Sequence, residues 1–378
     1  MATAMPHTAE PPLTTIPADL TSLADYERRA VAHMPEATWR HIASGAGQEC
    51  TLRQNRLAFE RLLLEPRALA CLQGATTHTT LLGQRHAAPV LLAPVAYHRL
   101  VHPGGECETA RAAAAMQTGM VVSTLASQTL EDIARSARAA AAELRHDQAP
   151  LWFQLYLQPK RSHSLELVRR AEAAGYQALV VTIDATVKRA RFALPPGVEA
   201  VNIQSFPSLA QRPQGLAGPI LFGTPLVESA PTWEDIAWLR QQCTLPLIVK
   251  GVVSPRDAMR AVELGADALI VSNHGGRVLD GLPAAIDILP RVAETVAGRV
   301  PLLLDGGIRS GTDIVKALAL GASAVLVGRP QLHALAVAGL LGVAHMLHLL
   351  RAELELAMAQ LGCTRIAVID RSVLWPPE

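Results

Sequence analysis

From residue 89 onward, short apolar runs rich in β-branched side chains alternate with stretches of helical spacing. The runs are PVLLAP (89–94), GMVVST (119–124), LWFQLY (151–156), ALVVTID (178–184), PLIVK (246–250), ALIVSN (268–273), PLLLD (301–305) and AVLVG (324–328). Unbroken apolar runs of this length suit parallel strands buried on both faces, although short buried helices share the pattern. Between them, helical spacing covers 107–118, 129–140, 165–174, 257–264, 283–297, 312–320 and 332–361. Acidic Glu131 and Asp132 suit the start of the second of these, and Gly175, Gly265 and Gly321 suit helix ends. Eight strand–helix units predict an α/β protein whose sheet closes into a (β/α)8 barrel of the TIM type; a doubly wound sheet is the alternative.

Ahead of the barrel, 19–88 contains two helical stretches, 23–42 and 52–64, which predict a small helical cap. Residues 1–18, rich in Thr and Pro, read as a disordered tail without the basic and apolar regions of a secretory signal. The connection after the fourth strand, 185–231, is anomalous. It is long, holds many Gly, Pro and Ser, and reads as a lid loop. Residues 19–378 are therefore expected to form one barrel domain.

Composition narrows the class. Half of the 378 residues are apolar and only 4% aromatic, which suits helices packed on a parallel sheet. A net charge of +1 without a basic block gives no expectation of nucleic-acid binding. Five scattered cysteines with no C-x-x-C pair read as reduced thiols of a cytoplasmic protein, and no metal site is expected. Residues 332–350 carry no Asp, Glu, Lys or Arg and could span a bilayer by length. Their three histidines and two glycines, and the amphipathic stretch that follows, favour a buried terminal helix or an oligomer contact.

Barrel active sites form at the C-terminal ends of the strands. In order, those ends carry Pro94-Val95-Ala96, Ser123, Gln154 with Tyr156, Thr182 with Asp184, Lys250, Ser272 to Arg277, Asp305 to Arg309, and Gly328-Arg329. Loops after strands seven and eight commonly bind phosphate; here Gly306, Gly307 and Arg309, then Gly328 and Arg329, pair glycine with guanidinium. A phosphate-bearing cofactor fits better than a phosphorylated substrate, because His274, Arg277 and Asp184 already compose a second site. There a histidine beside a carboxylate can take a proton, and an arginine can grip a carboxylate, which describes a 2-hydroxy acid. Lys250 is open to two readings: a Schiff-base amine, or a fixed cation beside a reduced cofactor.

The chain resembles the FMN-dependent 2-hydroxy acid oxidase/dehydrogenase family. The resemblance runs from about residue 23 to 372 and rests on particular motifs. These are Ala43-Ser44-Gly45-Ala46 with Thr51, Leu52 and Asn55; Ala93-Pro94; His102-Pro103; Gly105-Glu106; and Gln154-Leu155-Tyr156. Val249-Lys250-Gly251, Ser272-Asn273-His274-Gly275-Gly276-Arg277 with Leu279-Asp280, Asp305-Gly306-Gly307 and Gly328-Arg329-Pro330 complete them. It implies oxidation of a small L-2-hydroxy acid to the 2-keto acid with bound FMN, reoxidised by O2 or another carrier, in a homotetramer. It further implies His274 as base with Asp184 as partner, Arg277 and Tyr156 on substrate, and Lys250 against the flavin. Pro94, Val95, Ala96, Ser123, Gln154 and Thr182 would line the isoalloxazine and ribityl chain. Asp305, Gly306, Gly307, Arg309, Gly328 and Arg329 would take ribityl hydroxyls and phosphate.

Three departures from the family stand out. His41 occupies a position usually held by a substrate-binding tyrosine, and Leu125 one where some members carry a bulky aromatic. The lid is also short, so that Arg191 matches the second substrate arginine by counting from Asp184, with Arg189 as the other candidate. His41 and the short lid motivate an alternative, an FMN-binding barrel with lost or non-redox, isomerase-like chemistry.

Overall fold

A computed structural model of the chain describes residues 9–187, 192–206 and 221–376. The eight runs form the eight strands β1 (Val90–Leu92), β2 (Gly119–Ser123), β3 (Leu151–Leu155), β4 (Ala178–Thr182), β5 (Leu247–Val252), β6 (Ala268–Ser272), β7 (Leu302–Asp305) and β8 (Ala324–Val327). Each pairs in parallel with its neighbours in sequence, and β8 closes on β1. The closed barrel, not the doubly wound sheet, is the architecture.

Burial on two sides explains why the runs read as unbroken apolar stretches. Leu91, Val121, Trp152, Val180, Ile248, Ile270, Leu303 and Leu326 fill the barrel, while their strand neighbours such as Leu92, Val122, Phe153, Val181, Val249, Val271, Leu304 and Val327 pack outward on the helices. Alternation has period two, so the inward series continues upward to Ser123, Gln154, Thr182, Lys250, Ser272 and Asp305. Ser123 pairs in register with Gln154, Thr182 with Lys250, and Ser272 with Asp305. The top layer of the barrel is thus a buried polar ring.

Three cap helices, α1 (Leu23–Ala30), α2 (Glu36–Ala43) and α3 (Cys50–Arg61), precede the barrel. One continuous helix over 23–42 was expected; Met34-Pro35 breaks it, because a proline disfavours helical backbone in the residue before it. Around the barrel lie α4 (Gly105–Ala115), α5 (Leu130–Leu144), α6 (Arg161–Ala173), α7 (Trp233–Gln242), α8 (Pro255–Glu263), α9 (Ala285–Val296), α10 (Gly311–Ala319) and α11 (Arg329–Gln360). Helix α7 has no counterpart in the periodicity reading. A capping box between Thr232 and Asp235 starts it. An antiparallel hairpin, Thr79–Leu81 with Gln84–His86, was also not foreseen. Leu81 from it plugs the lower end of the barrel, and Gln84 accepts the Trp152 indole N–H at 2.8 Å.

Two further expectations are corrected. Within the supposed tail, residues 9–18 lie on the molecule: Leu13 N–H donates to Val337 C=O at 2.7 Å and Ile16 packs on the core. Within 185–231, a 3-10 turn (Val201–Ile203) and a helical turn (Pro225–Glu228) are ordered parts of the connection. Asn202 on the former is buried and bonds Gln128 C=O and Leu130 N–H. Residues 1–8 and 207–220, which share those expectations, lie outside the described residues, as do Arg189 and Arg191. Helix α11 is the one described helix long and apolar enough to cross a membrane, but it is largely buried and is interrupted at Ala338-Gly339.

Candidate active site

Strand β6 ends at Ser272, and the chain turns through a 3-10 segment (His274–Gly276) with left-handed backbone at His274, φ +57°. That turn aims the imidazole across the mouth to β4, where His274 Nδ1 lies 2.8 Å from Asp184 Oδ1. Burial pushes the Asp184 carboxyl up, but the His274 bond and charge, with the charge of Lys250, outweigh it and hold it below the ordinary range. Asp184 is seated over Gly251, φ +100°, where a Cβ would stand 2.5 Å from its Cγ. Only glycine leaves that space.

Ser272 is the hub of the ring. Its hydroxyl donates to Asp305 Oδ2 at 2.7 Å and accepts from Lys250 Nζ at 3.1 Å and His274 N–H at 3.0 Å. Lys250 also meets Asp305 Oδ2 directly, at 2.7 Å. Burial alone would lower the ammonium pKa; Asp305 and Asp184 more than compensate and raise it. A Schiff-base lysine needs a neutral amine, so of its two readings Lys250 fits the fixed cation.

The cap is tied to the mouth through the end of α2. Arg277 Nη1 donates to the carbonyls of His41, Ile42 and Ser44 at 2.9, 3.0 and 3.1 Å. Arg329 donates from Nε to Ile42, from Nη2 to Ser44 and from Nη1 to Gly275. Two guanidiniums therefore cap one helix C-terminus, satisfying its unpaired carbonyls and opposing its negative end. In this structure the Arg329 guanidinium makes these three carbonyl bonds. Arg277 commits only Nη1, which leaves Nε and Nη2 without a bond among the described residues. His41, anchored by this arrangement, stacks on Phe192 with ring centroids 4.3 Å apart.

Tyr156 stands beside the same cluster. Burial foremost, then the charge of Asp184, push its phenol above the ordinary range, while Arg277 opposes. On the phosphate side, Arg309 N–H bonds Asp313 and its guanidinium lies 3.5 Å from Glu27 of α1. Burial, then Arg277 and Arg309, push Arg329 down to about 9. Such mutual repulsion among buried guanidiniums marks a place for an anion. Gly307 serves packing: its Cβ would fall 2.2 Å from Asn55 C=O on α3, whereas one on Gly306 would meet nothing closer than 3.5 Å. Pro94, Val95 and Ala96 are half-buried at the mouth of β1, and Gly328 leads into α11.

Whether a flavin phosphate fits can be judged from atoms left over by the fold. Gln154 Nε2 and Asp184 Oδ2 are buried without a partner among the described residues, a costly state unless another group meets them. Gln154 Oε1 is meanwhile held by Ser123 Oγ at 3.2 Å. A polar heterocycle over this ring, with its phosphate toward the arginines, fits both ends.

Other residues of the sequence motifs build the site from behind. Ser272 was legible as an inward position of β6. Asn55 and Asn273 form a reciprocal amide pair at 2.9 and 2.8 Å that locks α3 to the His274 turn. Asp280 accepts the Thr51 and Gln48 N–H groups at the start of α3, which draws its carboxyl down to about 2.

A barrel whose mouth joins an anion site, a histidine–carboxylate pair and a buried ammonium is that of an enzyme using a phosphate-bearing redox cofactor. The model of the FMN-dependent dehydrogenase family matches residues 30–376. The chain belongs to that family and is an FMN-dependent oxidoreductase. It is 47% identical over 372 residues to an L-lactate oxidase of Alicycliphilus denitrificans, covering 97% of this chain and 99% of that one. It is 39% identical to 2-hydroxyacid oxidase 1 of Homo sapiens, covering 94% and 96%. A solved mandelate oxidase with benzoyl-formic acid superposes with a TM-score of 0.81 at 41% identity, covering 94% of this chain and 98% of that one.

Proposed function

We propose that this FMN-dependent 2-hydroxy acid oxidoreductase converts a small L-2-hydroxy acid to its 2-keto acid and passes the electrons to O2, giving H2O2. The observation that carries this reading is the 2.8 Å contact of His274 Nδ1 with Asp184 Oδ1. A carboxylate accepting the Nδ1 proton fixes the tautomer whose Nε2 carries the lone pair and stabilises the imidazolium that forms when a proton arrives. FMN, when bound, supplies the acceptor for the two electrons that leave the substrate carbon.

The remaining residues bind and orient. Arg277 offers Nε and Nη2 to the substrate carboxylate, a pairing suited to the guanidinium fork. Tyr156, His41 and Arg191 complete the carboxylate and hydroxyl contacts. Lys250, held protonated by Asp305, provides positive charge beside the flavin as it is reduced. Ser123, Gln154 and Thr182, with Pro94, Val95 and Ala96, hold the ring system, and Asp305, Gly306, Gly307, Arg309, Gly328 and Arg329 the ribityl phosphate. The relatives named above are oxidases, which favours O2 over another carrier. The family resemblance supports a homotetramer, and the scattered, unpaired cysteines support a cytoplasmic location.

Anaerobic mixing with lactate, glycolate and mandelate tests the proposal: the flavin bleaches with at least one, and air restores its colour with H2O2 formed. Replacing His274 by Ala leaves FMN bound and slows bleaching by about a hundredfold or more, the scale of a lost general base. A flavin that stays oxidised against all three acids refutes the assignment. Bleaching at an unchanged rate in the His274→Ala variant refutes the role of His274.

A further inference from the structure

We infer that Asn55, on the cap helix α3, is a positioning residue for the proposed base: acting through Asn273, it holds the turn that brings His274 Nδ1 to Asp184. This rests on the function just proposed and adds to its site a residue from outside the barrel.

The turn needs holding. His274, Gly275 and Gly276 run in succession through left-handed backbone, with φ of +57°, +61° and +72°. Glycine adopts this at no steric cost, whereas a residue carrying an imidazole persists there only where its surroundings over-determine it. Two bonds come from the turn's own strand end: His274 N–H donates to Ser272 Oγ at 3.0 Å and Gly276 N–H to Asn273 C=O at 3.0 Å. A third comes from the Asn273 side chain, whose Oδ1 accepts Gly276 N–H at 3.2 Å. That bond depends on which way the amide faces, because a half-turn would set its NH2 against another donor.

Asn55 decides which way it faces. The two side chains, both buried, exchange bonds: Asn55 Nδ2 donates to Asn273 Oδ1 at 2.9 Å, and Asn273 Nδ2 to Asn55 Oδ1 at 2.8 Å. Groups of fixed sense bracket the pair. Ala285 N–H, which can only donate, meets Asn55 Oδ1 at 3.1 Å, and Pro283 C=O, which can only accept, receives Asn273 Nδ2 at 3.0 Å. Polarity therefore runs without conflict from Ala285 through Asn55 and Asn273 to Gly276, in a buried setting where an unmatched group is costly.

Fastening the cap does not require this pair. Thr51 bonds Leu282 in both directions, at 3.2 and 2.9 Å, and Asp280 accepts Thr51 N–H at 2.8 Å. Arg56, the next residue of α3, meets Asp313 at 2.8 Å. With α3 fixed elsewhere, what the Asn55 amide adds is the orientation of Asn273. Arg277, beyond the turn, is held separately by the carbonyls of His41, Ile42 and Ser44, so the grip on a carboxylate does not share the dependence.

Asn55→Ala and Asn273→Ala break the link from either side, so one serves where the other does not fold, as bound FMN per chain will report. Anaerobic flavin reduction by lactate, glycolate and mandelate is then compared with wild type. In Asn55→Ala the limiting rate at saturating acid should fall about tenfold or more, while the half-saturating concentration stays within about threefold. That split marks a base out of line, not a lost binding contact. Joined with Asn273→Ala, it should slow reduction no more than about twofold beyond the slower single variant, because the two act as one. Crystals of the Asn55→Ala protein should show His274 Nδ1 beyond about 3.5 Å from Asp184 Oδ1, against 2.8 Å in wild type. A wild-type limiting rate, losses that multiply in the double variant, or an intact contact in the crystal each overturns the inference. Wild-type flavin that none of the acids reduces would overturn the proposed function instead, in an arm separate from the variants, and the crystallographic contact would still decide whether Asn55 holds the turn.

Discussion

At the scale of single residues, the site depends on small groups that leave room for large ones. Gly251 follows the fixed cation Lys250 and turns with φ +100° under Asp184. Alanine there would place its Cβ 2.5 Å from the Asp184 Cγ, and the carboxylate is the part able to move. Displaced, it no longer receives the Nδ1 proton of His274, and the imidazole loses both orientation and charge compensation. We expect Gly251→Ala to retain flavin but slow its reduction by ~100-fold, with ~1–3 kcal/mol of backbone strain visible as a lower Tm. Stopped-flow reduction at saturating substrate checks this, and a wild-type rate would mean that Asp184 does not need that seat. Much of the cluster was legible for a plain reason: His274, Arg277, Asp184 and Lys250 are polar residues at the ends of apolar runs. Glu106 stood in the Gly105-Glu106 motif without a role, because a buried acid has no mark in a hydropathy pattern until the backbone amides that it accepts are known.

At the scale of elements, the strands were readable because both faces of each are buried, so every run ends where the polar ring begins. The helices were less so, and the failures have local causes. Pro35 divides a stretch whose apolar spacing continues across it. Helix α7 mixes Trp233, Trp238 and Leu239 with charges, and the signal that survives is its cap, Thr232 with Asp235. The apolar stretch of α11 hides an interruption that periodicity cannot show. At Gly339, φ +54° and ψ −138°, the helix breaks, and His102 fills the space where a side chain would stand, 2.9 Å from the Cβ position. The carbonyl of Val337, released by the break, receives Leu13 N–H from the N-terminal segment. Gly339→Ala therefore both strains the backbone and pushes on His102. A loss of ~2–4 kcal/mol in denaturant unfolding is expected, with no change in the flavin spectrum. Unaltered stability would show that the break is soft.

Across the whole molecule, charge buried with and without partners sets the response to pH and to cofactor. His86, against Trp152 at the lower end of the barrel, is pushed down to about 4 by burial, and His333 on α11 to about 3 by burial and then by Arg309 and Arg329. Both rings lack hydrogen-bond partners among the described residues. The unfolded chain takes up these protons from pH 6.5 downward while the folded chain does not. Stability therefore falls as pH drops from 6.5 toward 4, by roughly 2 kcal/mol per residue at pH 5. His86→Leu should flatten that acid limb in urea unfolding between pH 7 and 5; an identical slope would exclude His86 as its source.

The opposite end of the barrel holds the converse problem, positive charge in want of an anion. Arg277 and Arg309 both repel the half-buried Arg329, and the neighbours of the three relieve them unequally. Arg329 spends its guanidinium on the carbonyls of Ile42, Ser44 and Gly275, so its charge acts at a distance. Arg309 has Glu27 at 3.5 Å and a bond to Ile308 C=O, which leaves it the better direct ligand for a phosphate. Binding of a dianion there should stabilise the fold by about 2.7 kcal/mol at a concentration of 100 times Kd. Riboflavin, which lacks the phosphate, separates this contribution from that of the ring. FMN should bind far more tightly than riboflavin to the wild-type apoprotein, and Arg309→Gln should narrow that gap by about tenfold or more, leaving riboflavin affinity unchanged. Arg329→Gln should act differently, lowering the Tm of the apoprotein because the end of α2 loses two bonds and the turn at Gly275 a third. An FMN-to-riboflavin gap insensitive to Arg309→Gln would place the phosphate elsewhere, and the arginine cluster would then be a fastening for the cap.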